Sequence, residues 1–315
     1  MLDVHDATDV AERYSLGNDA ALSGPVARGQ VGQVWQLTTS RGTFAIKEQF
    51  EPFPEDEVRE HAAFQEAAHA AGINVPVVIR DRDGRATTMF GGVQVRAFGW
   101  VDLRKRTPDV DPVEVGSVVA SIHRLPFPGR LPTDAWYTEP VGSDRWEALA
   151  RRLTEASAPF AERFTAMRDE LVALEGLIEE PRNLRTCHRD LWADNVLPTL
   201  DGPLCVIDWE NCGLADPAQE LALVLFEFGM GRAERVRTIH DAYLDMGGPG
   251  RIDGAGTFSM LIAQLGHIGE DACLRWLDMT EPADERARHA ARADEFLTLS
   301  LTRRGIEEIL DAVTA

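Results

Sequence analysis

The sequence predicts an α+β fold: a small antiparallel sheet with one helix over residues 1–100, then a larger, mostly helical part over residues 101–315. Three observations carry this expectation. Short runs with strand character, separated by glycine turns, fill the first hundred residues. Beyond Phe98-Gly99-Trp100-Val101-Asp102 the stretches become rich in Ala, Leu, Glu and Arg, which favour helix. Set among those helices is one polar loop and hairpin, Thr186 to Glu210, that reads as neither helix nor linker.

The N-terminal elements follow in order. Residues 8–16 read as a short helix. Arg28-Gly29-Gln30-Val31-Gly32-Gln33-Val34-Trp35-Gln36-Leu37 interleaves apolar and polar residues, the mark of a strand–turn–strand unit. Gly29 and Gly32 could admit phosphates to the backbone, but a plain hairpin accounts for them. Neither G-x-G-x-x-G nor a Walker-type G-x-x-x-x-G-K-[ST] is present. Ser40-Arg41-Gly42 turns the chain into Thr43-Phe44-Ala45-Ile46-Lys47. Lys47 is the sole lysine before Lys105. Glu55–Ala71 suits a helix, with Pro54 at its first turn and Gly72 as its C-terminal cap. Glu57, Glu60 and Phe64 share one face of it. Asn74–Ile79, Thr87–Phe90 and Val93–Phe98 return to the sheet.

Pro112–Leu125 is an amphipathic helix with Val115, Val118, Val119 and Ile122 inward, and His123 behind them as a core or capping residue. Helices are expected over about 143–157 and 159–179, the second closed by Pro181. Asp216 is a helix N-cap, Pro217 fits the first turn, and Gln219 can complete a capping box. Further helices are expected over about 233–246, 255–277 and 282–312, broken at Gly247-Gly248 and Pro282.

The hairpin carries the chemistry. Thr186-Cys187-His188-Arg189-Asp190-Leu191-Trp192-Ala193-Asp194-Asn195-Val196-Leu197 leads to Leu204-Cys205-Val206-Ile207-Asp208-Trp209-Glu210. Asp201-Gly202 supplies the turn between them, because Gly tolerates positive φ. The turn folds Asp208 back beside Asn195, so Asp190, Asn195 and Asp208 converge. That grouping suits phosphoryl transfer: one carboxylate orients a hydroxyl nucleophile, and two oxygen ligands hold Mg²⁺ on nucleotide phosphates.

H-R-D-L-W-A-D-N followed by I-D-W-E resembles the catalytic and metal-binding loops of the protein kinase-like superfamily, and most closely its aminoglycoside phosphotransferase and choline kinase-like branch. Glu210 stands where protein kinases carry Gly, and Arg189 where the branch often carries Gly. The resemblance runs from about Gly29 to Glu220. It implies a bilobal fold, with a nucleotide-binding lobe over 1–100 and a catalytic and acceptor-binding lobe over 101–315. It implies Asp190 as catalytic base, Asn195 and Asp208 as Mg²⁺ ligands, and ATP or GTP as co-substrate. Lys47 is expected to contact the α- and β-phosphates, held by an ion pair with Glu60, or failing that Glu57. Backbone groups of Gly99 and Val101 are expected to bind the adenine edge. Trp192, Asp194 and Glu210 are candidates to face the acceptor.

Composition narrows the partners. The 315-residue chain has a net charge of −20, which argues against nucleic acid or anionic membrane. Residues 1–101 hold 9 Lys+Arg and 14 Asp+Glu, and the remainder 23 and 38, so the acidity is concentrated in the acceptor-binding part. A cationic small-molecule acceptor is expected: an aminoglycoside, another amino-bearing antibiotic, or an amino sugar. Choline, homoserine and sugars are the alternatives within the branch, and a catalytically silent regulatory protein the alternative outside it. Only seven residues separate Asp208 from Asp216, too few for a protein kinase activation segment. Four cysteines without C-x-x-C spacing, and the lack of a signal-peptide core, fit a cytoplasmic monomer or homodimer.

Overall fold

The computed structural model describes residues 2–29, 31–200, 202–298 and 301–314. Gln30 of the expected glycine-flanked turn and Asp201 of the expected hairpin turn lie outside these residues. The chain forms two compact units. The first comprises Met1–Thr107, Arg124–Leu131 and Asp190–Gly213; the second comprises Pro108–His123, Pro132–Arg189 and Leu214–Ala315. The division is therefore not one cut near residue 100, because the segment bearing Asp190, Asn195 and Asp208 clusters with the N-terminal sheet.

In the first unit, strands β1 (Ala21–Arg28), β2 (Gly32–Thr39), β3 (Gly42–Gln49), β4 (Val78–Ile79), β5 (Thr88–Phe90) and β6 (Val93–Gly99) form an antiparallel sheet in the order β1-β2-β3-β6-β4, with β5 also paired to β6. Its helices are α1 (Ala7–Arg13) and α2 (Glu55–Ala70). Period-two alternation sends Leu22, Trp35, Leu37, Ile46, Val95 and Ala97 to a core that also takes Val10, Ala11 and Tyr14. A smaller cluster joins Val58 and Ala62 of α2 to Ala86, with Phe53 and Val78 packed against it. Gly32 has a packing reason: a Cβ there would stand 2.4 Å from the Glu48 carbonyl oxygen of β3.

The expected hairpin is present, with Val196 opposite Val206 and Leu197 opposite Cys205. Its second strand stops at Val206, short of the expected end at Asp208. Asp208 adopts a left-handed conformation, φ 62° and ψ 60°, and starts a 3₁₀ turn over Trp209–Asn211. Trp209 is buried and packs edge-on against Phe64 of α2, ring centroids 5.3 Å apart.

The second unit is built from helices α3 (Pro112–His123), α4 (Ala135–Thr138), α5 (Ser143–Glu155), α6 (Ala161–Glu175), α7 (Pro217–Gly229), α8 (Ala233–Asp245), α9 (Ser259–Leu277), α10 (Ala283–Thr298) and α11 (Arg303–Thr314). α3 packs directly on α8, and a Cβ at Gly116 would stand 2.3 Å from the Ile239 carbonyl oxygen. α4 falls where no helix was expected; Asp134 caps it by accepting from the Trp136 N–H at 2.8 Å. The single helix expected over 282–312 is two. Thr302 Oγ1 accepts from the Gly305 N–H at 3.0 Å, an N-cap that opens α11. Among the described residues, no helix is long and apolar enough to cross a membrane.

Candidate active site

Alternation along β3 builds one half of the site. Ile46 points into the core, so Lys47 and Gln49 point to the other face of the sheet. The antiparallel register sets Arg96 of β6 directly opposite Lys47, and therefore on that same face. All three side chains meet Glu210 from the 3₁₀ turn. Gln49 Nε2 and Arg96 donate to Glu210 Oε1 at 2.9 and 3.1 Å, and the Lys47 ammonium donates to Glu210 Oε2. Lys47 also donates to Asp208 Oδ1 at 2.5 Å.

The electrostatics follow from burial. Taking Lys47 out of water opposes its charged form, but Glu210 and Asp208 outweigh that and raise its pKa. The two carboxylates share one ammonium and move apart. Burial, then the neighbouring Glu210 charge, raises Asp208. Burial opposes ionisation of Glu210, yet Lys47 and Arg96 hold it below the usual carboxylate range.

The hairpin builds the other half. Asn195 Nδ2 donates to Asp190 Oδ2 at 2.8 Å and to its carbonyl oxygen at 2.9 Å, and Asn211 Nδ2 donates to the same Oδ2 at 3.0 Å. The Ile207 N–H donates to the Asn195 carbonyl at 2.9 Å, which fixes Asn195 beside the residue preceding Asp208. Asp190 and Asn195 are thus bonded to one another, Asn195 is bonded to the residue preceding Asp208, and Lys47 reaches Asp208 from the sheet.

The expected partnership of Lys47 with Glu60 is corrected. Glu60 accepts from the backbone N–H groups of Arg130 and Leu131, the latter at 3.0 Å. The carboxylate on Lys47 comes from the hairpin as Glu210, whose position two residues beyond Asp208 places it under the sheet. Gly99 is also corrected in part: its N–H donates to the Val77 carbonyl at 2.8 Å and so serves the sheet. Val101 lies just past the end of β6 and is half-buried. Asp194 pairs with Arg106 at 2.6 Å on an exposed surface. Gln49, Arg96 and Asn211 were not singled out from sequence. The Lys47-x-Gln49 spacing was the available signal, since residues two apart in a strand share a face.

Within the second unit, the residues preceding Asp190 are clamped. The Glu220 carboxylate accepts from the His188 N–H at 3.3 Å, from the Arg189 N–H, and from His123 Nε2 at 2.7 Å. His123 Nδ1 lies 2.8 Å from the Tyr243 hydroxyl, which accepts from the Gly250 N–H at 2.8 Å. One tautomer satisfies the whole chain of groups: Nε2–H donating to Glu220, and the tyrosine O–H donating to Nδ1. Cys187 also lies within 4.8 Å of the His123 and Glu220 ligand atoms. Both His123 nitrogens are already engaged, so this cluster reads as a hydrogen-bonded core. Gln264 Nε2 donates to the Arg189 carbonyl at 2.9 Å.

Hard oxygen donors suit Mg²⁺. Asn195 spends its amide nitrogen on Asp190, which turns Oδ1 away, and that oxygen takes no hydrogen bond among the described residues. Asp208 keeps a third of its side chain exposed, whereas the Glu210 side chain is 4% exposed. The donor set and its access fit a magnesium ion held by Asn195 and Asp208.

The fold is that of known kinases. Spectinomycin phosphotransferase, solved with ADP and spectinomycin, is 13% identical over 100% of this chain and 99% of its own, with a TM-score of 0.69. Amicoumacin kinase, solved with AMP-PNP, Ca²⁺ and Ami, is 14% identical over 93% of this chain and 92% of its own, TM-score 0.61. Choline kinase from Streptococcus pneumoniae is 16% identical over 93% and 99%, TM-score 0.58. A search of curated protein sequences finds no match. The protein kinase-like fold is therefore established, and with the model of the phosphotransferase enzyme family matching residues 24–254, most of its length, this chain belongs to that family of enzymes, which transfer phosphoryl groups to hydroxyls.

Proposed function

We propose that the protein transfers the γ-phosphoryl group of ATP or GTP to a hydroxyl of a small cationic acceptor. The observation that carries this reading is the fixed Asp190 carboxylate, held by two amides on one oxygen, beside a Lys47–Asp208 pair. Asp190 orients the acceptor hydroxyl and takes its proton. Lys47 places the α- and β-phosphates as a compact point charge. Asn195 and Asp208 would hold Mg²⁺. When bound, Mg²⁺ neutralises charge on the phosphates. Val101, whose backbone groups take no hydrogen bond among the described residues, meets the adenine edge.

The acceptor is read from charge. Residues after 101 carry a net −15, against −5 before, so an amine-bearing antibiotic or amino sugar is steered to that part of the chain. The test is ADP release measured across aminoglycosides, other amino-bearing antibiotics, amino sugars, choline, homoserine and neutral sugars. Turnover is expected with an amine-bearing acceptor and lost in Asp190→Ala, while nucleotide binding survives. Turnover retained in Asp190→Ala rejects the base; preference for neutral sugars rejects the acceptor class.

A further inference from the structure

Arg96 is a cation buried in the sheet, on the face that also carries Lys47 and Gln49. It is 1% exposed, and its Nε and NH2 atoms have no partner among the described residues. NH1 reaches Glu210 at 3.1 Å, and the guanidinium lies 5.2 Å from the centre of the Phe98 ring. A guanidinium buried with so little hydrogen bonding costs stability. It also stands directly across from Lys47, a like-charged neighbour in the ladder.

Glu210 lies between the two cations, with one oxygen on Arg96 and Gln49 and the other on Lys47. A carboxylate tethered by one oxygen can restrain a lysine with the other. A carboxylate free to swing toward the lysine alone cannot. The helix carboxylate Glu60 supplies no such tether here, because it accepts from the backbone N–H groups of Arg130 and Leu131.

We propose that Arg96 is a positioning residue for Lys47, acting through Glu210. Arg96 and Gln49 anchor Glu210 Oε1, so that Oε2 holds the ammonium at a fixed place on the sheet where phosphates are to be met. This rests on the phosphoryl-transfer reading for its purpose, but its geometry stands without it.

The test uses the full chain and two readouts. The first is the acetylation rate of Lys47 in nucleotide-free protein, followed by mass spectrometry. The second is steady-state kinetics. Arg96→Met is expected to speed Lys47 acetylation by at least about 10-fold and to lower kcat about 10- to 100-fold with the acceptor KM unchanged, the scale of a small misplacement at a reacting centre. Arg96→Lys, which restores a donor but not the fork, is expected to recover most of both. Should Arg96→Met not fold, Glu210→Gln, of equal volume, carries the same measurement and is expected to accelerate acetylation likewise. Variants that only lose melting temperature, with Lys47 acetylation and kcat of the folded protein unchanged, overturn the proposal. If the wild-type protein phosphorylates no acceptor, the kinase reading fails, and Lys47 acetylation still decides the role of Arg96.

Discussion

The peptide N–H of Arg189 donates into the buried carboxylate of Glu220, although Arg189 occupies the left-handed region at φ 65°. One acidic side chain on α7 thereby dictates the conformation of the residue immediately before Asp190. A left-handed backbone favours glycine, and this chain holds arginine there with a compensating brace.

Removing that brace has a defined consequence. Glu220→Gln removes the charged acceptor of the buried hydrogen bonds from His123 and the Arg189 N–H and is expected to cost about 1.5–3 kcal/mol. The effect depends on pH with a definite sign. Burial opposes ionisation of Glu220, but His123 and the Arg189 N–H outweigh it and hold the pKa below its ordinary 4.5. The unfolded chain therefore takes up the proton first as pH falls. The stabilisation is full above 4.5 and lost as the pH drops through the lower folded value. Urea denaturation of both proteins at pH 7 and at successively lower pH should show the gap narrowing only below that point.

Arg189→Gly separates strain from contacts. Glycine relieves about 1–2 kcal/mol of left-handed strain. It loses the guanidinium's bond to the Pro132 carbonyl and its seat 4.5 Å over the Tyr137 ring. Those contacts are worth about 1.5–3 and 0.5–2 kcal/mol. The contacts outweigh the strain at the middle of these ranges, so the variant should be less stable by about 2 kcal/mol, measured as a lower denaturation midpoint at unchanged slope.

Lys47 and Glu60 should part company in mutagenesis. Lys47→Met is expected to lower kcat/KM for nucleotide by more than about 100-fold, as loss of a charge placed on the transferring phosphates does. Glu60→Gln should leave kcat within about twofold and weaken stability by about 1 kcal/mol, the worth of its backbone hydrogen bonds. A Glu60→Gln enzyme as impaired as Lys47→Met would restore the helix carboxylate as the partner of Lys47.

The four thiols should be silent in the native protein. Cys187, Cys205, Cys212 and Cys273 are all buried thiols outside any disulfide. Burial pushes Cys205 and Cys273 up to about 12, far from the thiolate that reacts. Ellman's reagent is expected to titrate none of them at pH 8 in native buffer and all four in guanidinium.

Much of this site was legible in the residue order. Asp190, Asn195 and Asp208 are joined by a hairpin, so their meeting depends only on local turns and one ladder register. Lys47 was singled out because Ala45-Ile46-Lys47 resembles the strand lysine of the kinase family; the end of an apolar run by itself reads as a solvated lysine. The partner of Lys47 was not, because Glu60 and Glu210 are both carboxylates at plausible distances along the chain, and only the course of the backbone after Asp208 chooses between them. Arg96 was hidden for a similar reason: its place opposite Lys47 is a matter of pairing between β3 and β6, separated by a helix and two short strands. The break between α10 and α11 escaped notice because Thr302 is a cap only by virtue of where its hydroxyl points.

Spacing and side-chain type alone determined the α+β class and the order of the main elements, since strand and helix character follow from neighbouring residues and their turns. Tertiary structure alone decided which carboxylate grips Lys47, what neutralises the cation across the ladder from it, and how a non-glycine residue is held left-handed before Asp190. Those outcomes turn on charges buried between segments far apart in sequence, where the stability of each ion depends on neighbours that no local pattern names.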